Sequence, residues 1–226
     1  MIKLKDMDLI DDILDHPNPE RVLEEIRAVL KKEQADRQKF REWLKPDIKA
    51  EFINGEIITH SPAKRRHNQA VRLINYLLDT FVTERSLGEV AIEKALVELE
   101  RNDFEPDICF WRKEVSDSFN DDMLFYPAPD LVVEVTSKST AGRDRGIKFS
   151  SYEEAGVGEY WIVDPVEKRV DQFVGQTNAK GENKLMRVAE LNCNDQISSK
   201  ILEDFTVPVR AFFEPGARGI ALEMMR

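Results

Sequence analysis

The spacing of apolar residues along the chain changes several times, and each change marks an element. Val22, Leu23, Ile26, Val29 and Leu30 recur at helical spacing, and Phe40, Trp43 and Leu44 continue the stripe. Asn18-Pro19-Glu20 supplies an N-cap, a proline for the first helical position and an early acid. One or two amphipathic helices are therefore expected over about 19–44, behind a loose acidic lead at 1–17. At 50–58 the period shortens. AEFINGEII is two short apolar runs joined by Asn-Gly, a strong hairpin signal because a type I′ turn needs positive φ at both central residues. Helical spacing returns over about 66–85, where Val71, Leu73, Ile74, Leu77, Leu78, Phe81 and Val82 line one face and Gly88 lies just beyond.

Short β-rich runs follow at 90–92, 96–99 and 108–111, and a polar connection spans 112–129. The next run, Leu131-Val132-Val133-Glu134-Val135, leads through a small polar turn to a helix expected at about 143–155 and stopped by Gly156. Strands at 159–163, 168–173 and 185–188 complete a meander around a Gly/Asn-rich loop, and 201–226 reads as an ordered tail. Helix, hairpin, helix, strands, helix, strands is an α/β order, bordering on α+β, with a mixed sheet.

Composition narrows the class. The chain has 226 residues, of which 42% are hydrophobic and 34% charged, enough for a core and too apolar for disorder throughout. No window approaches the roughly 18 uninterrupted apolar residues of a membrane span. The N-terminal stretch is too acidic for a signal or transit peptide, and Cys109 and Cys193 suggest no disulfide framework. A cytoplasmic protein is expected. The net charge of −10 argues against indiscriminate nucleic-acid binding, but it is unevenly spread. Residues 84–134 carry fourteen acids against five bases, while 52–83 and 135–148 are net basic. That pattern suits carboxylates holding a cation beside groups holding phosphates; ordinary surface clustering is the bland alternative.

Glu134 is the residue that asks for an explanation, because a carboxylate in so apolar a strand needs a partner or a metal. Two further acids, Asp107 and Asp130, follow prolines at strand starts. Asp107 and Glu134 on neighbouring strands could chelate Mg²⁺, which prefers oxygen ligands. Either Pro-Asp could equally be a simple turn. No zinc-ligand spacing, nucleotide-binding glycine motif or nucleophile elbow is present.

The stretches EFINGEIITHSP, RRHNQAV, EPDICFW, PAPDLVVEVTSKST and GRDRGIKFSSYEEAGVGEYWIVDP resemble the Uma-type endonuclease family of the PD-(D/E)xK nuclease superfamily. The resemblance covers about 48–213. It implies a restriction-endonuclease-like mixed sheet flanked by helices, formed by 45–226, with 1–44 as an N-terminal helical extension. It further implies that Asp107 and Glu134 hold Mg²⁺ or Mn²⁺ with the Val135 carbonyl as a further ligand. Thr136 stands where the superfamily has its lysine. Lys148, on the following helix, is the substitute; Lys138 is the rival, and a surface pair with Asp144 is the plain alternative for Lys148. Glu56 resembles the family's upstream acid, and His67 matches a family histidine. Lys64, Arg65 and Arg66, with Arg143 and Arg145, are candidates to grip the nucleic-acid backbone, while Asp130, Asp144 and Tyr152 would support the site. The expected function is metal-dependent endonucleolytic cleavage, in DNA before RNA, by a homodimer. The rival is a catalytically inactive nuclease fold used for binding or assembly.

Overall fold

Two helices come first in the computed structural model, which describes residues 4–45, 48–178 and 181–226. Residues 179–180 of the expected loop, and the first three of the acidic lead, lie outside the described residues. The rest of that lead is not loose: it forms α1 (Leu4–Leu14), with Ile10 and Ile13 half-buried one turn apart. In α2 (Pro19–Trp43) the Asn18 side chain accepts from the Arg21 amide, and Pro19 takes the first position, as the cap residues foretold. The hairpin pairs β1 (Ala50–Ile53) with β2 (Glu56–Thr59) through Asn54 and Gly55, both at positive φ.

The next helix, α3 (Arg65–Arg85), buries every apolar residue expected of it. Its end is Ser86 in the left-handed region rather than Gly88. Gly88 serves another purpose: it opens β3 (Gly88–Ile92), and a Cβ there would lie 2.0 Å from the Trp111 carbonyl oxygen on the paired strand. After β4 (Leu96–Glu98), β5 (Asp103–Phe104) and β6 (Ile108–Arg112), the polar connection holds a short α4 (Lys113–Ser116) and β7 (Phe125–Tyr126). The glutamate-bearing strand is β8 (Leu131–Val135). The single helix expected after it is two, α5 (Ala141–Asp144) and α6 (Ile147–Glu154). They break at Gly146, which is non-helical and so close to Gly142 that a Cβ would meet its carbonyl oxygen at 2.8 Å. Then come β9 (Glu159–Asp164), β10 (Arg169–Thr177), β11 (Asn183–Asn192), β12 (Gln196–Ser198), β13 (Thr206–Pro208) and α7 (Arg218–Met224).

The main sheet runs β11-β10-β9-β8-β6-β3, with β8 parallel to β9 and antiparallel to β6. Period-two alternation sends Leu131, Val133 and Val135 to one face, in a core shared with α3 and the C-terminal segment. Each fully buried side chain of that size contributes roughly 1.5–3 kcal/mol. Val132 and Glu134 point to the opposite face, whose core holds Cys109, Trp111, Tyr152 and Tyr160. A second sheet, ordered β2-β1-β5-β4-β7, brings β1 against that face.

Two buried carboxylates hold the layers in place. Asp103, fully buried in β5, accepts from the guanidinium groups of Arg37 and Arg41 of α2 at 2.5–3.0 Å. Arg37 also donates to the carbonyls of Leu99, Glu100 and Asn102. Glu159, equally buried, accepts from Trp161, Gln172, the Ser199 hydroxyl and the amides of Lys200 and Ile201, tying β9 to the tail. The Asp103 clamp sets the path of the chain into Glu105-Pro106-Asp107. Replacing Asp103 with alanine leaves two largely buried guanidinium groups without their anion, and should cost on the order of 3 kcal/mol in urea unfolding.

Candidate active site

The β6–β8 ladder ends at Ile108↔Val133. One step further along β8, the Val135 amide donates to the Asp107 carboxylate at 2.8 Å instead of to a strand carbonyl. Asp107 is thereby fixed beside Glu134, on the same edge of the sheet. Its Oδ2 also lies 3.2 Å from Nε2 of His67, which projects from the first turn of α3. Lys49 stands 4.0 Å from its other oxygen and 3.8 Å from Glu93.

Glu134 meets a different helix. Its Oε1 accepts from the Lys148 amino group at 2.8 Å and from the Tyr152 hydroxyl at 3.0 Å, both from α6. Residues four apart on a helix share a face, so one turn of α6 delivers both donors. The Lys148 nitrogen is also 2.6 Å from Oε1 of Glu51, a fully buried carboxylate of β1. Glu51 in turn accepts from the Glu105 amide and lies 3.1 Å from His60. One ammonium is thus held between carboxylates from two sheets.

The electrostatics follow from the crowding. Burial pushes Glu134 up to about 8; Lys148 opposes the rise, and Asp144, Asp107 and Glu51 add to it. Burial likewise raises Asp144 to about 6, although Lys148 pulls against it. Glu51 is buried too, yet Lys148 and His60 together hold it down to about 2. Burial works against charge on Lys148, but Glu134, Glu51 and Asp144 outweigh it and keep the ammonium protonated. Asp107 stays below the usual carboxylate range despite burial, because His67 and Lys49 face it. For Cys109, burial and then the Glu134 charge keep the thiol protonated, so it is no nucleophile.

Four carboxylates, Glu51, Asp107, Glu134 and Asp144, therefore share one buried neighbourhood whose closest basic side chains are Lys148, His67, His60 and Lys49. Among the described residues neither Asp144 oxygen meets a donor in good hydrogen-bond geometry, although the Thr140 side chain is near enough to favour its charged form. Among the described residues no three His, Cys, Asp or Glu side chains converge as a ready metal-holding group. The Asp107–Glu134 pair remains, two hard oxygen donors, which fits a cation such as Mg²⁺ that keeps several waters and takes one or two carboxylates.

The residues singled out in the sequence divide accordingly. Asp107, Glu134, Val135, Lys148, His67, Tyr152 and Asp144 are brought together. Lys148 is 3% exposed, so the surface pair with Asp144 does not describe it. Glu56 is exposed on β2, and it is Glu51, five residues earlier, that reaches Lys148. Asp130 is also elsewhere: at the opposite end of β8 it accepts from the amide and guanidinium of Arg112. Lys64, Arg65 and Arg66 are exposed at the start of α3, just before His67, and Arg143 is half-buried. Arg145 is bonded to the buried Asp171 of β10, so it anchors its loop to the sheet. The signal for Glu51 was present: like Glu134, it is a lone acid in a short apolar run.

Residues 37–210 match the model of Uma2, a family described as "Putative restriction endonuclease". The chain belongs to the Uma2 family. The match begins inside α2, at the first of the two arginines that clamp Asp103. An uncharacterized protein of Synechocystis is 31% identical over 144 residues, 60% of this chain and 81% of that protein. The crystal structure of "a putative nuclease belonging to DUF820" from Anabaena variabilis aligns with a TM-score of 0.63 over 78% of this chain and 96% of that one. At 13% identity that likeness is one of fold, and it establishes the restriction-endonuclease-like α/β architecture. Membership in Uma2 supports nuclease as the functional class.

Lys148 is the test of the site's electrostatics. Lys148→Ala removes the cation shared by Glu134 and Glu51, and should lower stability by about 3 kcal/mol in chemical denaturation. Lys148→Arg, which keeps the charge, should lose less.

Proposed function

We propose that the chain is a divalent-metal-dependent endonuclease that hydrolyses phosphodiester bonds in DNA. The observation that carries this reading is the Lys148 ammonium 2.8 Å from Glu134, beside Asp107, with the three side chains coming from α6, from β8 and from the turn that enters β6. Thr136 vacates the position two residues after Glu134, and the α6 lysine supplies the same charge from the side.

Asp107 and Glu134 would hold Mg²⁺ or Mn²⁺, with the Val135 carbonyl as a further donor. Bound there, such an ion polarises a phosphoryl oxygen and lowers the pKa of the attacking water. The protein's own groups do the rest. Lys148 faces the charge that grows on phosphorus-bound oxygen and orients the water. Glu51 holds the Lys148 nitrogen in place, Tyr152 orients Glu134, and His67 orients Asp107. Water adds to phosphorus, the bond to one sugar oxygen breaks, and the released proton ends on the leaving oxygen. Lys64, Arg65, Arg66 and Arg143 meet flanking phosphates as point charges and fork donors. This local basic rim reconciles phosphate binding with the overall charge of −10. In the same reading the chain is cytoplasmic and works as a homodimer. No described helix is long and apolar enough to cross a membrane.

The purified chain should nick plasmid DNA with Mg²⁺ or Mn²⁺ and stop on chelation. Asp107→Asn and Glu134→Ala should each lower the rate at least ~100-fold. Glu51→Gln should lower it more than Glu56→Gln. If DNA and RNA, single- and double-stranded, all survive in both metals, the enzymatic reading falls and an inert nuclease-fold module replaces it.

A further inference from the structure

The buried cluster has an inner end and an outer end. The side chains of Lys148, Glu134 and Glu51 are each 5% exposed or less, whereas those of His67 and Lys49 reach 14% and 22%. Lys148 is also committed. Glu134 and Glu51 take its ammonium at 2.8 and 2.6 Å, and the Phe104 ring lies 5.5 Å away. An ammonium has three donors, so at most one of Lys148's is left for substrate or water. A phosphate arriving from solvent therefore meets Asp107 first, with His67 at one oxygen and Lys49 at the other.

Lys49 reaches this place through the hairpin. The His60 amide donates to the Lys49 carbonyl at 3.2 Å, which carries the β1–β2 ladder one step beyond Ala50↔Thr59. Residues two apart on a strand share a face, roughly 7 Å from each other. Glu51 points inward to Lys148, while Lys49, on the same face, points to the outer oxygen of Asp107. The turn between β3 and β4 frames it. Glu93 and Lys94 there both take positive φ, and the Glu93 amide donates to the Asp107 carbonyl at 3.2 Å. Left-handed non-glycine residues cost on the order of 1 kcal/mol each. This strained turn sets the Glu93 carboxylate 3.8 Å from the Lys49 nitrogen. At 3.8 and 4.0 Å, neither Glu93 nor Asp107 is within hydrogen-bond distance of that nitrogen. The two acids hold the ammonium at the mouth of the site without taking up its donors.

We propose that Lys49 is a further catalytic residue, whose ammonium binds a non-bridging oxygen of the phosphate placed over Asp107. This rests on the nuclease function proposed above and adds a residue to it. Lys148 acts from behind the acids, and Lys49 is the lysine that touches the substrate from the open side.

Fluorescence anisotropy with a labelled DNA duplex in EDTA reads the contact without cleavage. Lys49→Gln should weaken binding about tenfold at low salt, the loss of one charge-assisted contact. The slope of log affinity against log salt should fall by about 0.9, one phosphate's worth in B-DNA. Lys49→Arg should recover most of both. Lys200→Gln, at an exposed lysine outside the site, should change neither. With Mg²⁺, Lys49→Gln should lower kcat about tenfold as well. Unchanged affinity and slope in Lys49→Gln overturn the proposal and leave Lys49 as a neutraliser of Asp107. Equal losses in Lys49→Gln and Lys200→Gln overturn it too, since only net charge is then being read. A change in KM alone moves Lys49 to a flanking phosphate and overturns its catalytic assignment. If DNA binds through Lys49 but is never cut, the contact stands and the nuclease function falls. A wild type that binds neither DNA nor RNA removes both.

Discussion

The Lys148 ammonium, held between Glu134 of one sheet and Glu51 of the other, is the interaction on which the site depends. Two buried carboxylates a few ångströms apart repel each other across a low-dielectric interior that screens them poorly. A single shared cation lets both strands present an acid inward without parting. Tyr152 and the Glu105 amide satisfy further lone pairs, so each acid is hydrogen-bonded as well as paired. The result is a polar knot inside an apolar layer of Cys109, Val132, Tyr160 and their neighbours. It joins β1, β8 and α6.

That knot would drift if its supports could. Asp107 is locked by the Val135 amide, which continues the β6–β8 ladder through a side chain. The approach to Asp107 is set by Asp103, which α2 grips with two guanidinium groups. Arg145, bonded to Asp171, anchors the turn between β8 and α6, and so helps to place Lys148. Glu159 fastens β9, the parallel neighbour of β8, to the C-terminal segment. Each anchor is a buried carboxylate with more donors than a surface pair could hold, so its geometry is over-determined. Such preorganisation suits a site that must aim charge at a reacting phosphate.

Individual residues show how far the sequence could be read. Glu134 was conspicuous because one acid in five strand-formers has no cheap explanation, and the same reasoning applied to Ala50–Ile53 leads to Glu51. Glu56 resembles a family acid by its position after the hairpin turn, but it is exposed on β2 and so lies outside the buried cluster. Asp130 looked equivalent to Asp107 since both follow proline at a strand start. They differ because β6 and β8 run antiparallel, so the starts of the two strands lie at opposite ends of the pair. The break at Gly146 was not legible: Gly142 and Gly146 approach closely only once the chain is folded.

By itself, the sequence determined what local physics can determine: the hairpin at Asn54-Gly55, the capped start of α2, the buried face of α3, the apolar run of β8 with its single acid and the motifs that mark the family. These depend on neighbours within a few residues, where period, φ preference and hydrogen-bond options are written directly. Only the tertiary structure decided that Lys148 points inward, that its second partner is Glu51, and that Asp130 serves Arg112. Those outcomes depend on which strands become neighbours and in which direction they run. Contacts between residues fourteen to a hundred positions apart follow from the packing of whole layers, and no short-range pattern encodes them.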